Sequence, residues 1–342
     1  MSLPLFVYNL PEDRIAQRPI VPYHDARLLV INRSTGALTD STFLELPSFL
    51  STNDLLVFNN TKVIQARLLG EFETGGKVEL LLLRKQKDPN IWSALGRPMK
   101  KFTLNRQIRF AKDLKAFIKE RLSDQEVIVQ FEGADPLSSG IMPIPPYIRS
   151  GLSDQEDIKD YQTPFAEIDG SVAAPTASLH FTKELMERLV KRNILSTYLT
   201  LHLGPASFLP IFDSKNPPTL SDLKSPATES LIYSDNTKKL CKEIRANVHK
   251  VVAVGTSMVR ALETLERTKA EEGEAVETDL YIKPGHKFLS LDSVITNFHQ
   301  PGTTHLLLVE ALLGKELLEE SYNHALNNGY RFLSYGDGML IL

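Results

Sequence analysis

A chain of 342 residues is long enough for two domains, and at that length roughly 75% of the unfolded surface can be buried without staples. Hydrophobic residues make up 42% and charged residues 24%, which excludes a mostly disordered chain; a net charge of −3 excludes a wholesale nucleic-acid coat but leaves room for a local basic patch. The single cysteine, Cys241, excludes an intrachain disulfide and a Cys-rich metal site, and fits a reducing cytosol.

The most apolar run, 305–313, is cut by Glu310 and falls short of the roughly 20 residues that span a bilayer, so no membrane span is expected. The opening MSLPLFVYNLPEDR lacks the basic and apolar regions of an export signal, which points to a cytoplasmic protein.

The first elements read as strand, turn, helix, strand. Residues 27–31 suit a buried strand and 32–36 are turn chemistry. Phe43, Leu46 and Leu50 at helical spacing predict a helix over 41–50, followed by a buried strand over 54–58 and a polar loop, Asn59-Asn60-Thr61-Lys62. From about residue 67 the texture changes to short β-type runs at 68–72, 78–83, 91–95, 107–110 and 127–131, with Gly75-Gly76 as a hairpin turn. Pro143, Pro145 and Pro146 mark the exit from this unit.

After residue 161 the α/β texture returns. Thr182 caps a predicted helix to Arg192 that has Leu185, Met186, Leu189 and Val190 on one face. Strands are expected at 194–203, 250–254, 292–296, 330–334 and 339–342, and helices at 234–247, from 255 to about 269, and up to 313; 217–226 reads as a polar loop. The fold class is therefore α/β, a mixed sheet with helices over 1–66 and 150–342, plus an inserted antiparallel β-barrel-like domain over 67–149.

In open α/β sheets, ligands bind beyond the carboxyl ends of strands, where helix N-termini present free N–H groups. Gly255-Thr256-Ser257 follows a strand and opens a helix, with Arg260 one turn on. It is either an anion site or a small-residue turn that lets helix and strand pack. Asn297-Phe298-His299 lies on a similar loop, where His299 is either an acid, base or donor, or a cap. The segment 170–182 is rich in small residues and ends on His180, so it is either a close backbone approach to a ligand or a buried crossover. Thr200 and His202 share one strand face, which marks a pocket or a hydrogen-bonded core histidine. No histidine pair has metalloprotease-like spacing, so no metal is expected.

The predicted β insertion carries nine cations over 97–121, Arg97, Lys100, Lys101 and Arg106 among them, against Asp113 and Glu120. Such a run binds phosphate backbones or is simply a solvated face. Phe102 and Phe110 lie among the charges, as base-stacking aromatics do.

Seven strings then occur in one order: LLVFNNTKVIQARLLG, MPIPPYI, YQTPFA, GSVAAPTASLHFT, VGTSMVRALE, TNFHQPGTT and YRFLSYGDGMLI. Together they resemble the S-adenosylmethionine:tRNA ribosyltransferase-isomerase family of queuosine biosynthesis over nearly the whole chain. The resemblance implies a β-barrel-like domain inserted in an α/β domain. It also implies transfer and isomerisation of the ribosyl group of S-adenosylmethionine onto the aminomethyl-7-deazaguanine at the tRNA wobble position, giving epoxyqueuosine, adenine and methionine. The partner is then tRNA, met at its anticodon loop by a monomer.

On motif membership and side-chain chemistry, His180, His202, His299 and Asp337 are the candidates for proton transfer or its support. Thr176, Gly255, Thr256, Ser257, Arg260 and Asn297 are expected at the S-adenosylmethionine, and Asn59, Thr61, Lys62, Arg97, Lys100 and Lys101 at the RNA. The chain departs from the family pattern at Lys62 (usually Arg), Gln65 (usually Pro) and Ser178 (usually Gly), at Gln300 and Thr303, and in the string Gly204-Pro205-Ala206-Ser207-Phe208. The family's HxMHxE string has no counterpart, since 217–233 contains no histidine. These departures leave two alternatives open: a tRNA-binding relative with altered catalysis, and an S-adenosylmethionine-using enzyme with a small-molecule acceptor.

Overall fold

The structure, a computed structural model, describes residues 6–204, 228–233, 235–268 and 274–342. It divides into two compact units, Met1–Thr61 with Gln162–Ile168 and Ala174–Leu342, and Lys62–Tyr161 with Asp169–Ala173. The first unit opens with strand β1 (Arg27–Ile31), strand β2 (Leu38–Thr42) and strand β3 (Leu55–Asn59). The helix expected over 41–50 is instead the end of β2 followed by a 3-10 helix, Phe43–Phe49. Pro47 lies inside that helix and has no N–H for an α-helical ladder, while Phe43 and Leu46 still bury completely. The expected polar loop is occupied in part by β4 (Thr61–Val63).

The second unit contains β5 (Arg67–Phe72), β6 (Lys77–Lys85), β7 (Ile91–Arg97), β8 (Gln107–Arg109), β9 (Lys115–Arg121) and β10 (Glu126–Glu132). They close into an antiparallel barrel in the order β10-β7-β6-β5-β8-β9. Strand β9 was not anticipated, because Lys115, Lys119 and Arg121 give it a basic reading. Its alternate residues Ala116 and Ile118 are fully buried inside the barrel. Phe102 and Phe110 are not displayed for stacking. Phe102 is 2% exposed and its ring lies against Gly96, where a Cβ would come within 2.6 Å of it; Phe110 covers Gly70 in the same way. Short helix α1 (Asp157–Asp160) and strand β11 (Ile168–Ser171) follow.

The remaining elements are α2 (Lys183–Lys191), β12 (Leu195–His202), β13 (Glu229–Ile232), α3 (Asp235–Ala246), β14 (Val251–Val254), α4 (Thr256–Arg267), β15 (Ala275–Thr278), β16 (Ser293–Asn297), α5 (Thr304–Leu313), α6 (Lys315–Asn327) and β17 (Gly338–Ile341). Thr182 caps α2 by accepting from the Leu185 N–H, but Val190 is 64% exposed and lies off the buried face of Leu185 and Leu189. No strand forms over 330–334; Phe332 makes only an isolated bridge to Ile15. Strands β13 and β15 and helix α6 were not foreseen. The strings 205–208 and 217–226 lie outside the described residues.

Among the described residues the first unit holds a nine-stranded sheet ordered β15-β13-β12-β3-β14-β16-β17-β1-β2. Strands β12, β3, β14 and β16 run parallel, and β17 returns antiparallel to β16. Leu56, Phe58, Val252 and Val254 pack on one side with Phe181, Leu185 and the 3-10 helix at 43–49, while α4 contacts β14 and β3. Burial on both faces explains why β3 and β14 read as continuous apolar runs. It also leaves their carboxyl ends as the places where polar residues gather. Among the described residues, no helix is long and apolar enough to cross a membrane.

Candidate active site

The four parallel strands end at His202, Asn59, Val254 and Asn297, so one edge of the sheet collects much of the polar set read from the sequence. Gly255 turns from β14 into α4 with φ of 92°, a conformation other residues rarely adopt; a Cβ there would meet only ordinary contacts, so the backbone rather than space requires glycine. No side chain caps α4 at this position, and Thr256 and Ser257, each 7% exposed, form its first turn. These N–H groups suit a carboxylate.

His180 ends a 3-10 helix, Thr176–His180, and is 4% exposed. Its ring stacks on Phe43 with centroids 4.0 Å apart. Nδ1 lies 3.3 Å from the Tyr23 carbonyl, and because a carbonyl only accepts, Nδ1 carries the proton. Nε2 is then the lone-pair nitrogen, 3.5 Å from the Asn297 amide nitrogen. Asn297 also accepts from the Thr176 hydroxyl at 2.9 Å and donates to the Asp337 carbonyl at 3.4 Å. Burial pulls the imidazole pKa down to about 4, so the ring is neutral at pH 7. Thr176, Asn297 and His180 are thus brought together. Phe43 and Tyr23, which hold the ring, carry no sequence signal for that role. The adjacent Ser178 hydroxyl is fully buried and has no hydrogen-bond partner among the described residues.

His299 pairs through Nε2 with the Thr296 hydroxyl at 2.9 Å, and its backbone N–H donates to the Tyr322 oxygen at 3.0 Å. His305, in the first turn of α5, places its ring 5.1 Å from that of His299. Burial lowers both pKa values, with His305 reaching about 4 under the added influence of Arg260. Sequence reasoning missed His305, since its proximity to His299 depends on how the 300–304 turn folds. On β12, His202 Nδ1 lies 2.8 Å from the Thr61 hydroxyl, and burial lowers its pKa as well.

Three sets of expected site residues are engaged within the fold. Arg260 is ion-paired with Glu229, and its Nε donates to the Leu280 carbonyl at 3.1 Å. Asp337, expected to orient a base or bind a ribose hydroxyl, is buried and held by backbone N–H groups. Its carboxylate accepts from the Arg27 N–H at 2.9 Å and the Arg331 N–H at 2.7 Å, fastening a loop to β1. Asn59 and Thr61 are fully buried and present no surface to RNA; the Asn59 amide bridges to the Leu201 backbone, donating at 3.0 Å and accepting at 3.2 Å. Glu229, which sequence reasoning passed over, lies within the stretch that lacks the HxMHxE histidines.

In the second unit, Lys62 is half-exposed and pairs with Asp169 at 3.2 Å, while Arg97, Lys100 and Lys101 are exposed on the barrel. Among the described residues, no group of three or more His, Cys, Asp or Glu side chains is arranged to hold a metal ion.

The family described as "Queuosine biosynthesis protein" matches residues 3–341. The S-adenosylmethionine:tRNA ribosyltransferase-isomerase of Aquifex aeolicus is 42% identical, with all of both chains covered, and that of Pelobacter propionicus is 39% identical over 98% of each. The crystal structure of S-adenosylmethionine tRNA ribosyltransferase from Thermotoga maritima superposes with a TM-score of 0.57 at 32% identity, covering 98% of this chain and 99% of that one. With matches of this length and identity, the chain belongs to the S-adenosylmethionine:tRNA ribosyltransferase-isomerase family of queuosine biosynthesis proteins.

Proposed function

We propose that the chain transfers and isomerises the ribosyl group of S-adenosylmethionine onto the aminomethyl-7-deazaguanine of a tRNA anticodon loop, releasing adenine and methionine and leaving epoxyqueuosine. The observation that carries this reading is the environment of His180. A neutral imidazole, with Nδ1–H held by the Tyr23 carbonyl and its ring fixed on Phe43, leaves Nε2 as the basic nitrogen, with the long 3.5 Å contact from the Asn297 amide to be displaced by substrate. The sulfonium of the donor acidifies the adjacent ribose C5′–H, so a modest base suffices to remove that proton. Asn297 and Thr176 orient this base.

The uncapped first turn of α4, with Thr256 and Ser257, receives the donor's carboxylate. His299 and His305 stand ready as neutral donors toward the leaving adenine, and His202 is held by Thr61 as a further proton carrier. The aminomethyl group must be neutral to attack, which a desolvated site favours. The wobble base lies in a loop and splays out more cheaply than a paired base. The reading includes a monomeric enzyme working in the cytoplasm, which sedimentation and fractionation check.

The test is adenine release, followed by mass spectrometry, with S-adenosylmethionine and tRNA carrying the aminomethyl-deazaguanine, against unmodified tRNA. Release with the modified tRNA only, with a matching mass gain on its nucleoside, supports the transferase. Binding of that tRNA without release overturns it in favour of a catalytically altered relative. Adenine release without any tRNA points to a small-molecule acceptor.

A further inference from the structure

The barrel sorts the basic run of 97–121 in a way the sequence does not show. All six strands are antiparallel to their neighbours, so alternate connections lie at alternate ends. One end gathers connections 73–76, 98–106 and 122–125. The other gathers 86–90 and 110–114, and there the chain also enters β5 and leaves β10. At that second end Lys87 and Lys112 are balanced by Asp88 and Asp113.

The first end is different. Its connections contain two acids, Glu73 and Asp124, and each is already paired, with Arg109 at 3.7 Å and Arg121 at 3.0 Å. Its three cations, Lys100, Lys101 and Arg106, have no carboxylate partner among the described residues. They are also held near one another. The Arg106 guanidinium lies over the Phe72 ring at 4.0 Å, with Nη1 donating to the Lys101 carbonyl at 2.8 Å and Nη2 to the Thr74 hydroxyl at 3.1 Å. Gly76 leaves room for the Lys101 ammonium, which would sit 3.2 Å from a Cβ at that position. Lys100 and Lys101 are exposed, as is Leu104 at 64%.

We propose that this mouth of the barrel grips the sugar-phosphate backbone of the tRNA, with Arg106 as a pre-oriented fork and Lys100 and Lys101 as mobile point charges. This rests on the reading that tRNA is the acceptor. The grip is on phosphates and not on bases, because Phe72 and Phe102, the aromatic rings of this mouth, are each 2% exposed. It therefore carries affinity, while selection of the modified base lies with the residues that receive it.

The test compares the full-length enzyme with K100Q/K101Q/R106Q and with a charge-matched control elsewhere on the barrel, K87Q/K115Q/K119Q. Affinity for the modified tRNA is measured by fluorescence anisotropy from 50 to 200 mM salt, and adenine release is measured at saturating tRNA. Each lost phosphate contact flattens the plot of log affinity against log salt by about 0.7 to 0.9. The mouth variant is expected to flatten it by about 2 to 3, to raise KM for tRNA by at least about tenfold and to leave kcat unchanged, with the control near wild type. R106K is expected to lose part of the affinity while retaining the charge. An equal loss in both triple variants, or an unchanged slope in the mouth variant, overturns the proposal. If the wild type releases no adenine yet its tRNA affinity still depends on the mouth, the catalytic reading fails and this one stands.

Discussion

Inside the barrel every buried cluster residue is apolar, from Leu68 and Leu80 to Ile118 and Val129, and the charges of β9 point outward. In the α/β unit, ionised and polar side chains go inside and are consumed there: Glu229 by Arg260, Glu263 by Arg267 and the 289–290 backbone, Asp337 by two backbone N–H groups. The difference tells where substitutions act. The barrel's stability resides in volume, and among the described residues Lys100, Lys101 and Arg106 at its mouth have no carboxylate partner. In the α/β unit, stability draws on these buried polar groups.

The sharpest probe of the second region is His180→Ala. It is expected to lower adenine release by about 10² to 10⁴-fold, the usual contribution of a positioned base, with circular dichroism unchanged. In the wild type the imidazole is neutral above its pKa of about 4, so the rate is expected to hold level from pH 8 to 6 as far as this group is concerned and to fall as pH approaches 4. A rate that collapses near pH 6.5 would assign the base elsewhere.

Arg260→Met removes the ion pair that Arg260 makes with Glu229, which is 3% exposed, and is expected to cost about 3–5 kcal/mol in urea denaturation. The double variant R260M/E229Q should recover part of that loss. If R260M instead leaves stability intact and raises KM for S-adenosylmethionine, Arg260 is a ligand residue after all.

The barrel reverses the pattern. Ile118→Ala removes a fully buried side chain and is expected to cost about 2–5 kcal/mol, whereas Lys119→Gln, its outward neighbour, should stay within about 0.5 kcal/mol of wild type. Comparable effects from the two would break the contrast.

Glu263→Gln is expected to cost about 2–3 kcal/mol, since the carboxylate accepts from Leu289 N–H at 2.8 Å, Ser290 N–H at 2.9 Å and the Ser290 hydroxyl at 2.6 Å. Although burial alone would raise this carboxyl, its hydrogen bonds and Arg267 hold the pKa down at about 2. A depressed carboxyl stabilises the fold above its unfolded value of 4.5, and the contribution drains away as pH falls through about 2; acid titration of the variant against wild type reads that difference. The smallest effect is expected at Ser178. Ser178→Ala deletes a buried hydroxyl that has no partner among the described residues and should leave stability unchanged or raise it by about 1 kcal/mol.

The elements legible in the sequence are those whose pattern matches their burial. Strands β1, β3 and β14 are apolar because both faces are covered, and Thr182 announces α2. Strand β9 hid behind its outward lysines, and the 41–50 spacing was helical in period but interrupted by Pro47. At the site, the placement of Gly255, Thr256, Ser257, Asn297 and His299 beside the ends of parallel strands followed from strand-loop-helix logic, whereas Thr176 came from the family resemblance. What sequence could not supply was direction. Arg260 and Asp337 are the right residue types for a ligand, yet they turn toward Glu229 and the Arg27 and Arg331 N–H groups, partners fixed only by long-range packing.

The closed barrel exposes no unpaired strand, whereas among the described residues the nine-stranded sheet ends in two, β2 and β15. A bare edge is a template on which another chain can extend the ladder. Here β2 is five residues long and carries Thr39, Asp40 and Ser41, while β15 is four residues long and carries Glu277. Adding a strand to either edge would gain only a few rungs of ladder beside mostly polar residues. Shortness and polarity at the two ends of the sheet therefore guard the folded chain against edge-to-edge aggregation.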